Sequence, residues 1–348
     1  MTRSEKAPRR MAGIAALLGI TALVAAPALS ARNLEFYFID TEGGQATLIV
    51  TPAGQSLLID TGWPGYDGRD ANRIQEAAKK AHIKAIDYVL ITHFHRDHVG
   101  GVKQLLDLMK VGTLVDHGPN RENDRIVLED YADYQKNLPR VPKHLVLKPG
   151  DHLPLKGVTI TALTADGEHI SAPLEGAGQP NPLCSSAKKH DDDPSENARS
   201  LGILLQYGKF RFIDMGDLTW NKELELMCPD NLVGTVDLLL VSHHGWDQSS
   251  SPQLVHALHP RVAVMNNGAS KGGSPSVWQT VKSSPGLEDL WQLHYSLEGG
   301  REHNVPDSFI ANVDEHCQGK YVEATVSADG SFTLSNSRNK YEKTYPAH

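Results

Sequence analysis

Three histidines and an aspartate fall within six residues in His93-Phe94-His95-Arg96-Asp97-His98, directly after the apolar run Tyr88–Ile91. Alone, any one of these histidines reads as a solvated or hydrogen-bonded loop residue. Together they do not, because imidazole nitrogen and carboxylate oxygen are the donors that zinc and similar divalent ions take. A turn at the end of a rigid strand can aim several of them at one point. His93 and His95, two residues apart, project to the same side, and Asp97 and His98 follow around the bend, where they can serve a second ion. Gly100 and Gly101 then permit a close turn into a helix.

The remaining pattern must supply a scaffold for that turn. Short β-branched and aliphatic runs bounded by Gly, Pro and Asp read as strands at Leu34–Ile39, Ala46–Val50, Ser56–Ile59, Tyr88–Ile91 and Thr113–Val115. Apolar residues at helical spacing mark Arg69–Ala81, Val102–Lys110 and Asp124–Leu138. Residues 164–200, rich in Gly and Pro and carrying Asp191-Asp192-Asp193, read as a long surface loop. Strands resume at Leu201–Tyr207, Phe210–Ile213 and Val236–Val241, with a helix at Asn221–Met227.

The two halves resemble each other. Leu58-Ile59-Asp60-Thr61-Gly62 parallels Phe212-Ile213-Asp214-Met215-Gly216, and the strand ending at His93 parallels the one ending at His243. The Asp-to-His separations are 33 and 29 residues. Two such halves facing each other bring both histidines to one edge of paired sheets.

The His93–His98 motif resembles the signature of the metallo-β-lactamase superfamily. The similarity extends through Phe38-Ile39-Asp40-Thr41-Glu42-Gly43-Gly44-Gln45-Ala46, Leu58–Gly62, Asn197–Leu201, Met215-Gly216-Asp217 and His243-His244-Gly245. Within the superfamily the chain looks most like the hydrolase domain of ComEC-type competence proteins. The resemblance implies an α/β fold, a four-layer αββα sandwich of two pseudo-repeated halves with a dinuclear metal site at one edge. It implies that His93 and His95 bind the first metal, Asp97 and His98 the second, that Asp217 bridges both, and that His243 completes the second. His244 is then a substitute for His243 or a substrate contact, and Asp60 an acceptor that orients a ligand imidazole. Asp97 and Asp217 are the candidate catalytic carboxylates.

Some positions depart from that pattern. Asn197 stands near the place where many members supply a third histidine to the first metal, and His117, at the end of Thr113–Asp116, is the nearby histidine able to reach the site. Gln45 and Ser274-Pro275 occupy positions where competence-type sequences carry aspartate and His-Pro.

Residues 1–30 read as a cleaved secretory signal. Arg3, Lys6, Arg9 and Arg10 precede an apolar run, Met11–Val24, that is too short to span a bilayer, followed by Ala26-Pro27-Ala28-Leu29-Ser30-Ala31. Residues 31–348 are then a single periplasmic or secreted domain without a membrane anchor. Four basic side chains and one acid lie in the leader, so the remainder carries −11 where the whole chain carries −8. That charge disfavours nucleic acid and anionic membranes as partners. Cys184, Cys228 and Cys317 allow one disulfide, whose pairing the sequence leaves open.

The expected activity is hydrolysis by a metal-activated hydroxide on a phosphodiester, phosphoester or small ester or lactone, with two Zn2+ ions, or Mn2+ or Fe in their place. A mononuclear iron oxidoreductase of the same fold and a non-catalytic metal-binding protein are the alternatives.

Overall fold

The computed structural model describes residues 1–5, 7 and 32–348. The apolar run Met11–Val24 and the cleavage region that follows it lie outside the described residues. No helix among the described residues is long and apolar enough to cross a membrane.

In β1 (Leu34–Phe38), Leu34, Phe36 and Phe38 enter one apolar cluster and Tyr37 enters another. β2 (Thr47–Val50) and β3 (Ser56–Ile59) divide in the same way, with Ile49, Leu57 and Ile59 on one side and Leu48, Val50 and Leu58 on the other. A sheet that is apolar on both faces must be covered on both. β4 (Ala85–Leu90), β5 (Lys110–Asp116) and β6 (Lys143–Val146) add parallel strands. The crossovers run through α1 (Arg69–Lys80), α2 (Arg96–Val99) with α3 (Val102–Leu108), and α4 (Arg125–Asn137). Ile74, Leu105 and Tyr134 pack these helices on the outer face.

A second sheet repeats this plan with β7 (His152–Leu153), β8 (Thr159–Ala165), β9 (Gly202–Tyr207), β10 (Phe210–Asp214), β11 (Leu238–Leu240), β12 (Val262–Met265), β13 (Asp289–His294) and β14 (Ile310–Asn312). It is antiparallel up to β10 and parallel beyond. α5 (Trp220–Met227), α6 (Pro252–Leu258) and α7 (Pro275–Lys282) cover its outer face through Leu226, Leu254 and Val281. β15 (Val322–Val326), β16 (Phe332–Asn336) and β17 (Glu342–Tyr345) return to the first sheet and pair outward from β1.

The inner faces of the sheets meet through Phe36, Phe38, Phe210, Phe212 and Trp291, with the Phe36 and Phe212 rings 4.8 Å apart. The four layers are helices, sheet, sheet and helices, as the resemblance implies. β3 lies parallel to β4 and β10 parallel to β11, so the two similar sequence stretches occupy matching positions.

The segment 164–200 departs from a plain surface loop. Glu196, Asn197 and Ala198 are buried, and a disulfide from Cys184 to Cys228 ties the segment to the end of α5. Cys317 is the free thiol. The expected helix from Val102 to Lys110 stops at Leu108, because Lys110 already begins a strand whose Val111, Thr113 and Val115 favour extended backbone.

Glu223 on α5 is fully buried and accepts the N–H groups of Ser250 and Ser251 at 2.6 and 2.7 Å, fixing the start of α6. Burial lifts its carboxyl to about 7. The folded state therefore holds this proton more tightly than the unfolded chain, in which a glutamate titrates near 4.5. Its contribution to stability is complete below that value and is lost as pH rises through 7. Thermal melts of Glu223→Gln should fall less steeply between pH 5 and 8 than those of the parent protein.

Candidate metal centre

Each half delivers its polar residues at the carboxyl ends of parallel strands. After β3 comes Asp60, in a left-handed conformation with φ 61°. Its carboxylate accepts the Thr92 N–H at 2.8 Å and the Thr92 hydroxyl at 2.7 Å. It also meets His98 Nδ1 at 2.7 Å. With its proton on Nδ1 facing Asp60, His98 presents Nε2 as a lone-pair donor to the cleft.

Four side chains converge there: Asp97, His98, Asp217 and His244, all buried, with one donor atom from each lying within 4.8 Å of the others. His98 Nε2 is 3.2 Å from Asp217 Oδ2 and 3.5 Å from Asp97 Oδ2. His244 Nε2 is 3.2 Å from Asp97 Oδ2, 3.5 Å from Asp217 Oδ2 and 3.3 Å from His98 Nε2. Nitrogen and oxygen ligands about 2.0–2.1 Å from a tetrahedral ion stand about 3.3 Å apart, so these separations fit a divalent cation.

His244 therefore holds the position expected of His243. The reason is the turn Ser242–Gly245, in which both histidines take left-handed backbone, each with φ 54°. Consecutive left-handed residues other than glycine are strained and persist only where the surroundings impose them. Here His243 N–H donates to Gly216 O, Trp246 N–H to His243 O, and Gly273 N–H to His244 O. His243 is not remote: its Nε2 lies 3.4 Å from Asp217 Oδ2, and its ring packs on Trp246.

The pair expected at a first metal is looser. His93 Nε2 is 3.9 Å from Asp217 Oδ2 and, although buried, has no hydrogen-bond partner; Asp217 Oδ1 is likewise unpaired. His95 turns its Nε2 to Glu122 Oε2 at 3.0 Å and stands outside the convergent set. His117 does not enter the cleft either. Its Nε2 meets the buried Glu196 at 2.9 Å, and the Glu196 N–H donates to Glu122, so His117 braces the loop behind His95. Asn197 is buried beside it, with its side-chain oxygen unpartnered.

Electrostatics follow from packing these groups in a dry site. Burial pushes Asp217 upward, but His243, His98 and His244 outweigh it and hold the carboxylate well below the usual range. Burial also lifts Asp97, and Lys271 and His98 overcome it. For His98, burial opposes the cation, yet Asp217, Asp97 and Asp60 hold its pKa well above normal. Burial keeps His243 low, at about 4.

Lys271, like Glu122, is a residue that sequence reading missed. Its ammonium contacts Asp97 Oδ2 and lies 5.0 Å from the Trp63 ring centre and 5.9 Å from that of Trp246. The loop holding it is locked, since a side chain at Gly272 would collide with the His244 carbonyl at 2.2 Å. The only available signal was a lysine flanked by small residues in Gly268-Ala269-Ser270-Lys271-Gly272-Gly273, which no spacing rule connects to Asp97. Gln45 is also engaged: its amide donates to buried Asp214 at 3.0 Å, tying the first half to the second.

A family model described as the metallo-beta-lactamase superfamily matches residues 39–180. Over those residues the chain is similar to that superfamily. ComE operon protein 3 of Bacillus subtilis (strain 168) is 27% identical over 259 residues, 70% of this chain and 29% of that protein. The chain thus spans under a third of that relative's length. A UPF0173 protein of Pyrococcus abyssi is 26% identical over 235 residues, 66% of this chain and 84% of the relative. Among solved structures, the metallo-beta-lactamase fold protein YhfI of Bacillus subtilis aligns with a TM-score of 0.46 and 12% identity, covering 74% of this chain and 96% of its own.

Removing the lysine from a buried carboxylate leaves that charge uncompensated. Lys271→Met should destabilise the metal-free protein by roughly 1–3 kcal/mol, less than a fully buried pair because Lys271 keeps some exposure. Lys271→Arg should recover part of the loss. Chemical denaturation of the three proteins in chelator measures it.

Proposed function

We propose that this chain is a metallo-β-lactamase superfamily member and an extracytoplasmic metal-dependent hydrolase of a small ester, lactone or phosphoester. The observation that carries the reading is the buried convergence of Asp97, His98, Asp217 and His244 at donor separations that suit one divalent ion. His93, His243 and Asp217 extend the set toward a second. Zn2+ suits this mixture of nitrogen and oxygen donors, and Mn2+ or Fe suits it next. A cation held there would supply Lewis acidity and acidify a bound water toward neutral pH.

The protein's own residues do the rest. Asp60 fixes the tautomer of His98. Asp97 and Asp217, kept ionised, are the anionic donors of the cluster. Lys271 sets a positive charge beside Asp97. The signal-like leader and the Cys184–Cys228 disulfide support export to an oxidising compartment, where such bonds persist. The negative formal charge of the chain favours a small substrate over nucleic acid.

Metal content by elemental analysis and hydrolysis of chromogenic esters, lactones and phosphodiesters with Zn2+ and with Mn2+ test the proposal. Asp217→Asn and His98→Ala should lose both metal and turnover, and His244→Ala should lose more metal affinity than His243→Ala. Asp60→Ala, which frees the imidazole without removing a donor, should weaken metal binding about 10–100-fold. Metal content indifferent to Asp217→Asn and His98→Ala would refute the reading.

A further inference from the structure

His93 Nε2 and Asp217 Oδ1 are both buried without a hydrogen-bond partner. The Thr92 hydroxyl gives its hydrogen to the Asp60 carboxylate, so toward His93 Nδ1, 3.1 Å away, it can only accept. The His93 proton therefore sits on Nδ1, and Nε2 is left as a bare lone pair. The Asp217 carboxylate is an acceptor as well. Two buried acceptors cannot satisfy each other, and a cation relieves both.

His95 stands beside this place, its ring centre 4.7 Å from that of His93, and its Nε2 is 3.0 Å from Glu122 Oε2. The carboxylate does not depend on His95 for its own position. The same oxygen accepts the Glu196 N–H at 2.8 Å, and the Asn120 side chain clamps both the N–H and the carbonyl of Glu122, each at 2.9 Å. Behind it, the fully buried Glu196 accepts the Arg121 N–H at 2.9 Å and meets His117 Nε2 at 2.9 Å. A carboxylate fixed in this way holds the imidazole rather than being held by it. On the opposite ring nitrogen it repeats what Asp60, itself fixed by the Thr92 N–H, does for His98.

We infer that Glu122 is a positioning residue: it keeps the His95 proton on Nε2 and so presents Nδ1 as a third donor, with His93 Nε2 and Asp217 Oδ1, to a second divalent ion. This rests on the metal-centre reading above and deepens it. A carboxylate on the far nitrogen fixes the tautomer and ring orientation of a ligating imidazole and raises its basicity. The second place offers one carboxylate where the Asp97, His98, Asp217 and His244 set offers two, so it is the weaker of the pair.

Titration of the metal-free protein with Zn2+, followed by calorimetry, should show two ions of unequal affinity. Glu122→Ala should weaken the second about 10–100-fold and leave the first unchanged. His95→Ala should cost as much, and the double variant no more than either, because Glu122 acts through His95. Glu122→Gln, which keeps the size and an acceptor oxygen, should recover part of the affinity. A residue that merely holds its loop would lower the melting temperature without touching the second ion, or would add its loss to that of His95→Ala; either result overturns the inference.

Nitrogen NMR of histidine-labelled, metal-free parent protein needs no folded variant at Glu122. It should show His95 as the Nε2–H tautomer, and the Nδ1–H tautomer overturns the inference. Two Zn2+ ions with the Glu122 effect, but no hydrolysis of any test ester, support the inference and count against the hydrolase reading. A single Zn2+ site that Glu122→Ala leaves untouched overturns the inference and leaves that reading, which needs one ion, intact.

Discussion

Burying ionised carboxylates without cations beside them is the expense around which this molecule is arranged. Asp60, Asp97 and Asp217 lie in a water-poor cleft, where an isolated carboxylate would protonate. Asp97 and Asp217 stay charged because imidazoles and one ammonium are packed against them. Asp60 holds His98, His98 and His244 face Asp217, and Lys271 meets Asp97. A divalent ion held there would meet the same carboxylates.

The scaffold makes that balance attainable. Two sheets with apolar inner faces leave only their strand ends free for polar residues, and the parallel strands of both halves end at one edge. Local strain is concentrated there. Asp60, His243 and His244 all have left-handed backbone, and the carbonyls and amides of Gly216, Gly245 and Gly273 hold the turn that imposes it. The cost of order 1 kcal/mol or more per residue is offset by the layers beneath.

The halves are not equivalent in use. Asp60 grips the strand end that leads to the histidine cluster, whereas its counterpart Asp214 accepts Gln45 and the Gly216 N–H and takes no imidazole. Burial accordingly lifts Asp214 to about 7. The symmetric sequence repeat thus supports an asymmetric site, in which one half orients a donor and the other ties the halves together.

Whereas the four-layer order and the place of Asp217 came from the family resemblance, most strand positions and the donors Asp97 and His98 were legible in the residues, because short apolar runs and a dense His/Asp motif are local patterns. Lys271, Glu122 and the choice of His244 over His243 were not. Lys271 lies 174 positions from Asp97, and nothing in a glycine-flanked lysine announces that distance closing. Glu196 read as part of a surface loop, whereas in the structure it is buried and a disulfide to Cys228 ties that loop to the second half. The chain by itself determined which chemistry is available, since donor types and strand periodicity are written residue by residue. Tertiary structure decided which donors meet, because convergence depends on backbone handedness and on packing between segments far apart in sequence.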